Sequence, residues 1–215
     1  MENISQLNSS SNPLLNMPFC GTEFWNSNLT WYTESPYFTR CFQSTVLTYL
    51  PSLVFVLLSP LDIQSYIKSE NREVPWGPRL KARLGINVLI AGAALAELVL
   101  VVLDLNSELQ TVFTSDVLAA SLKTLTFLLS SSFILTSKHF GQVYSGTQFF
   151  FWLSSCFCQG LTVGSLVISR TTSDVDSSQD VFEILYSCSL ALSLVMFFLN
   201  FLADDQPLYS DLMRK

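Results

Sequence analysis

Five long apolar stretches, separated by short polar intervals, set the pattern of this 215-residue chain. They cover residues 41–61, 80–103, 117–137, 148–169 and 181–203, and each has about the 20 residues needed to cross a bilayer's hydrocarbon core as a helix. The first has no charged residue. No stretch shows the charged face that a helix on the surface of a soluble bundle needs. The pattern predicts an all-α membrane protein with five transmembrane helices. An N-terminal segment, residues 1–40, precedes the five-helix domain of residues 41–203, and a tail, residues 204–215, follows it. Pro51 and Pro60 should kink or end the first helix.

Basic residues decide the orientation. The first loop holds Lys68, Arg72, Arg79, Lys81 and Arg83, the third holds Lys138, and the tail holds Arg214 and Lys215. The second loop carries only Asp104, Glu108 and Asp116, and the fourth sets Arg170 against Asp174, Asp176 and Asp180. Loops one and three and the tail are therefore expected in the cytoplasm, with the N-terminus outside. Residues 1–37 lack the basic and apolar regions of a cleavable signal peptide, so the first helix is expected to carry them across.

Composition agrees with lipid as the solvent. The chain is 49% hydrophobic and 13% charged, with a mean hydropathy of +0.40, where soluble domains carry about 25% charged residues. Trp31, Tyr32, Trp76, Trp152 and Tyr209 lie near span ends, as interfacial anchors should. No basic stripe or zinc-finger spacing points to nucleic acid.

Few residues suggest chemistry. Cys20 and Cys41 both fall on the expected oxidising side, where a disulfide is favoured over two free thiols. Cys156, Cys158 and Cys188 lie in spans four and five, and the first two lack the further ligands a metal site requires. Sequons occur at Asn3, Asn8 and Asn28 on the expected outer side, and Asn28, followed by Leu29-Thr30, has the best context. Gly141 and Gly146 have phosphate-loop spacing, but Thr147 stands where Lys is required. His139 is the only histidine and has no partner histidine for metal or nucleophilic work. No cofactor and no catalytic set are expected.

Glu97 and Lys123 are the charges deepest in the spans. Six residues from the ends of spans two and three, at about 1.5 Å per residue, both lie about 9 Å below one boundary. Equal depth on consecutive antiparallel helices allows an ion pair. A structural pair is preferred to a proton or substrate relay, because no chain of ionisable groups continues inward. Gly160 and Gly164 form a G-x-x-x-G row in span four, extended by Cys156, and Gly92, Ala93 and Ala96 a similar row in span two. Such rows allow close helix approach, expected within the bundle rather than between copies.

Certain motifs resemble a known family. Phe24-Trp25-Asn26-Ser27-Asn28-Leu29-Thr30, Glu34-Ser35-Pro36 and Phe38-Thr39-Arg40-Cys41-Phe42-Gln43-Ser44 resemble the amino terminus of the multidrug-resistance-associated proteins, the subfamily C ATP-binding-cassette transporters. Further similarity lies at Ser65-Tyr66-Ile67, at Ala96-Glu97-Leu98, where relatives read Ala-Asp-Leu, at Gly141 to Gly146 with Phe151-Trp152, and at Asp204 to Ser210. Lys123 falls outside the family pattern, and the third loop has one Lys where relatives carry several basic residues.

The resemblance implies an accessory five-helix domain with an external amino terminus. Full-length relatives use ATP to export organic anions and glutathione conjugates. This chain, ending at Lys215 before any nucleotide-binding domain, is expected to be an accessory domain, fragment or truncated form with no enzyme activity of its own. Trafficking, membrane retention and protein contacts are the implied roles. The lipid bilayer, a transporter core or another membrane protein, and a second copy are the implied partners, in the plasma membrane or an endosomal or vacuolar membrane. In the related sulfonylurea receptors this domain holds a potassium channel. The alternative is a free-standing small transporter or channel-regulating subunit, for which no inverted repeat is visible.

Overall fold

The computed structural model describes residues 19–20, 23–32, 36–68, 76–106, 113–140, 145–172 and 179–201. Asn3, Asn8, Gly141, Tyr209 and the tail lie outside them. A short helix α1 (Ser27–Trp31) precedes α2 (Arg40–Lys68), α3 (Pro78–Asn106), α4 (Thr114–His139), α5 (Gly146–Thr172) and α6 (Gln179–Phe201). The last five are long and apolar enough to cross a membrane, and the chain is a multi-pass integral membrane protein. Among the described residues there are no strands, as expected where a spanning backbone must satisfy its own hydrogen bonds.

Local chemistry sets the helix starts. The Thr39 side chain caps α2, accepting from the Phe42 N–H. Pro78 opens α3, at the position where its missing N–H costs nothing. Asp116 lies in the first turn of α4, and Lys138 and His139 in its last, each sign placed to suit the helix dipole. Ser145 caps α5 by accepting the Gln148 N–H at 3.1 Å. The Ser145 hydroxyl donates in turn to Asp62 on α2.

Helix α2 does not end at Pro60 but runs to Lys68. Pro60 has no N–H for the Val56 carbonyl four residues back, and the Ser59 hydroxyl donates to that carbonyl at 2.9 Å. Near Pro51 the helix widens into a π turn over Gln43–Leu47. Beyond Leu61, α2 is fastened by two polar contacts, Asp62 with Ser145 and Tyr66 Oη with Ser137 Oγ at 2.5 Å.

The five spans close into a ring. α2 lies beside α4 and α5, α3 beside α4 and α6, and α5 beside α6. All five fill the interior, with Phe55, Ile90, Phe127, Phe151, Trp152 and Met196 at its centre. Trp152 is thus a core residue with no exposure, not an interfacial anchor. It shares an inward face with Gln148, Ser155 and Gln159, at helical spacing.

The uncharged polar residues also turn inward. Asn87 Nδ2 donates to Ser131 Oγ at 3.0 Å, and Ser130 Oγ and Trp152 Nε1 both donate to Gln148 Oε1 at 3.1 Å. On α6, Tyr186, Ser193 and Asn200 recur every seventh residue along the buried face. They bond Glu97 on α3, Gln159 on α5 and Arg83 on α3. The opposite face of α6 exposes Ile184, Leu194, Val195, Phe198 and Phe201.

Candidate functional site

The two deepest charges meet. Lys123 Nζ, on α4, donates to Glu97 Oε2, on α3, at 2.6 Å, with both side chains largely buried. A third residue, not expected from the sequence, completes the cluster. Tyr186 Oη on α6 donates to Glu97 Oε1 at 2.5 Å, and Lys123 Nζ lies 4.4 Å from the centroid of the Tyr186 ring. The carboxylate therefore accepts from two helices, and the ammonium faces both a carboxylate and a π cloud, each favourable to a cation in a low dielectric. Depth places Tyr186 near the level of the pair, five residues into the fifth expected span and about 7.5 Å down, but does not single it out from its neighbours there.

A cap sits over this end of the bundle. Cys20 and Cys41 are joined by a disulfide. Next to Cys41, Arg40 pairs with Asp116 on α4 at 2.9 Å and lies over the Phe113 ring. Next to Cys20, the Phe19 carbonyl accepts from the Ser115 N–H at 3.0 Å. Two links thus tie the segment before α1 to the starts of α2 and α4, and the Arg40–Asp116 pair joins those two starts to each other. On the other side of the ring, the Phe38 N–H donates to Ser165 Oγ on α5 at 3.4 Å.

The motif residues make the joint between cap and bundle. Phe24, Trp25, Phe38 and Phe42 form one aromatic cluster, with ring centroids 5.2 to 6.0 Å apart. Thr39 Oγ1 donates to the Phe24 carbonyl at 2.7 Å, and Gln43 Nε2 to the Phe38 carbonyl at 2.7 Å. Within the sequon, Asn28 is exposed on α1. Thr30 is buried, its hydroxyl donating to the Asn26 carbonyl at 3.1 Å.

Other candidates do not assemble. Among the described residues no group of three His, Cys, Asp or Glu could hold a metal, and Cys156, Cys158 and Cys188 are free thiols. Thr147 donates to the Leu58 carbonyl at 3.0 Å, which joins α5 to α2. Gly160 and Gly164 do not serve a close approach inside the bundle. A methyl added to either, or to Gly92, would meet nothing within 4 Å. The reason is their face, which they share with the exposed Leu153, Phe157 and Val167, opposite the inward row of Trp152, Ser155 and Gln159.

The family model of the ABC transporter TMD0 domain matches residues 17–182. The chain belongs to that family. The match takes in the cap joint, the Glu97–Lys123 pair and the first four spans. ATP-binding cassette sub-family C member 3 of Mus musculus is 27% identical over 155 residues, which is 69% of this chain and 10% of that protein. The chain thus spans about a tenth of that relative's length. A TMD0 domain is an accessory membrane domain, and this one is of the subfamily C type.

The joint yields a direct prediction. Peptides of freshly made, non-reduced protein should contain Cys20 linked to Cys41, as mass spectrometry can show. A loop of about twenty residues gains about 3 kcal/mol from such a link in the chain-entropy model. Recovery of both cysteines as alkylated thiols would count against the link.

Proposed function

We propose that this TMD0 domain serves an ATP-driven exporter of organic anions and glutathione conjugates, supplying trafficking, membrane retention and protein contacts while other domains bind ATP and substrate. The family match over residues 17–182 carries this reading. The filled ring interior favours it over a free-standing carrier. The N-terminus lies outside and the C-terminus in the cytoplasm, in the plasma membrane or an endosomal or vacuolar membrane, and Asn28 carries a glycan. The transporter core or another membrane protein lies against the outer faces of the helices, and the open rows at Gly92, Gly160 and Gly164 leave room for a partner helix.

Membrane delivery tests this. An exporter core preceded by residues 1–215 should reach and hold its membrane, and removal of those residues should lower the steady-state amount there. Unchanged delivery and retention would overturn the reading. Topology is checked in the same cells. Asn28→Gln should reduce a glycosidase-sensitive mobility shift, and a C-terminal tag should stay inaccessible until the cells are permeabilised. A tag stained on intact cells would rule the orientation out.

A further inference from the structure

The sequon at Asn28 lies inside a folded turn. Asn28, Leu29 and Thr30 all belong to α1. The Asn28 side chain is exposed, while Thr30 is only 8% exposed and its hydroxyl donates to the Asn26 carbonyl at 3.1 Å. Helix geometry explains the contrast. At 3.6 residues per turn, positions two apart point about 200° apart around the axis, so an amide that faces solvent leaves the hydroxyl facing protein. In an extended chain the same two side chains share one side.

Glycan addition needs the extended arrangement. The Asn-x-Ser/Thr rule demands a hydroxyl at the third position, so the transferring enzyme must reach the Asn28 amide and the Thr30 hydroxyl together. In that reaction Asn28 Nδ2 attacks the anomeric carbon of an oligosaccharide carried on a polyprenyl pyrophosphate. The N–C glycosidic bond forms, and the C–O bond to the pyrophosphate breaks, its electron pair leaving with the pyrophosphate. Nδ2 gives up one proton to a base of the enzyme. α1 as folded cannot present both groups.

The turn is also held shut. Asn26 Oδ1 accepts from the Asn28 N–H at 3.0 Å, and the Leu29 carbonyl accepts from the Tyr37 N–H at 3.3 Å. Phe24 and Trp25 before the turn pack on Phe38 and Phe42 after it. The Cys20–Cys41 disulfide encloses the whole.

We infer that Asn28 accepts its glycan only before the cap closes, and that the Cys20–Cys41 disulfide ends the interval in which transfer is possible. This rests on the reading that Asn28 carries a glycan and adds an order of events to it: transfer first, closure second. The exposed Asn28 side chain then leaves room for the finished glycan on the closed cap. A chain that closes first stays unmodified.

Transfer to the finished protein tests the order. The full chain, with Asn3→Gln and Asn8→Gln so that Asn28 is the sole sequon, is made in a host that adds no N-glycan and placed in vesicles. A membrane oligosaccharyltransferase and a polyprenyl-linked donor are supplied, and a glycosidase-sensitive mobility shift reports transfer. The oxidised chain should be a poor acceptor. Cys20→Ser with Cys41→Ser should accept about a hundredfold faster, the gain in open chain that releasing a loop of this size gives in the chain-entropy model. The same pair with Phe42→Ala, which loosens the aromatic clamp, should accept at least as well. Equal rates for the oxidised and cysteine-free chains would show that the folded turn is read directly, and would overturn the inference. Absence of transfer in every arm, with a sequon peptide modified in the same vesicles, would instead remove the Asn28 glycan itself, and the inference with it.

Discussion

Lys123→Ala should lower stability by about 3–5 kcal/mol, the range seen when one member of a buried ion pair is removed and the other charge is left unpaired. Glu97→Ala should cost at least as much, because it strips Lys123 of its carboxylate and Tyr186 of its acceptor together. Tyr186→Phe removes one hydrogen bond but keeps the ring beneath the ammonium, and about 1 kcal/mol is expected. The double change Glu97→Ala with Lys123→Ala should be milder than the sum of its parts, since no charge is stranded. Adding Tyr186→Phe to the double variant should remove the last unpaired group and bring it closer to the parent. Exchanging the charges, Glu97→Lys with Lys123→Glu, should restore only part of the loss, because the cation no longer lies over the Tyr186 ring. Thermal midpoints of the detergent-solubilised protein, followed by fluorescence-detected size exclusion, provide the scale. Additive single losses with no rescue by the exchange would show that the cluster does not act as a unit.

Trp152→Ala should be comparably damaging. The ring has no exposure, stacks on Phe127 at 5.9 Å and meets Phe151 edge-on at 5.0 Å. Truncating a buried Trp to Ala costs about 3–5 kcal/mol through lost contacts and the cavity left behind. Lipid makes that packing term more important, because apolar side chains gain little by leaving hydrocarbon for protein. Trp152→Phe keeps much of the volume and loses the Nε1–H bond to Gln148, so a smaller fall of about 1 kcal/mol is expected. The same thermal assay separates the two. A parent-like midpoint for Trp152→Ala would place that side chain in lipid instead of the ring interior.

The sequence shows spans far better than it shows faces. A continuous apolar run reports that a helix lies in hydrocarbon, and five such runs match five helices. The equal depths of Glu97 and Lys123 were legible because charges are rare in a span, so each one stands out against its background. Tyr186 does not stand out, since its ring is at home in lipid and only its hydroxyl seeks a partner. Trp152 was misjudged because position near a span end cannot reveal which way a ring points. The glycine rows misled for a related reason. Small residues permit close approach, but nothing in their spacing says whether the approaching helix belongs to the same bundle. The extension of α2 past Pro60 depends on a serine one residue earlier, a local rescue that a rule about proline alone does not contain.

The buried face of α6 has a consequence for how that helix is attached. Hydrogen bonds between membrane helices average about 0.6 kcal/mol each, so three of them hold α6 by only about 2 kcal/mol beyond packing. Their spacing is nevertheless unforgiving. Tyr186, Ser193 and Asn200 each face a different residue, and a shift of one turn along the axis would break all of the bonds at once. α6 is therefore held in the ring mainly by packing and indexed by its polar contacts, which leave it one seat.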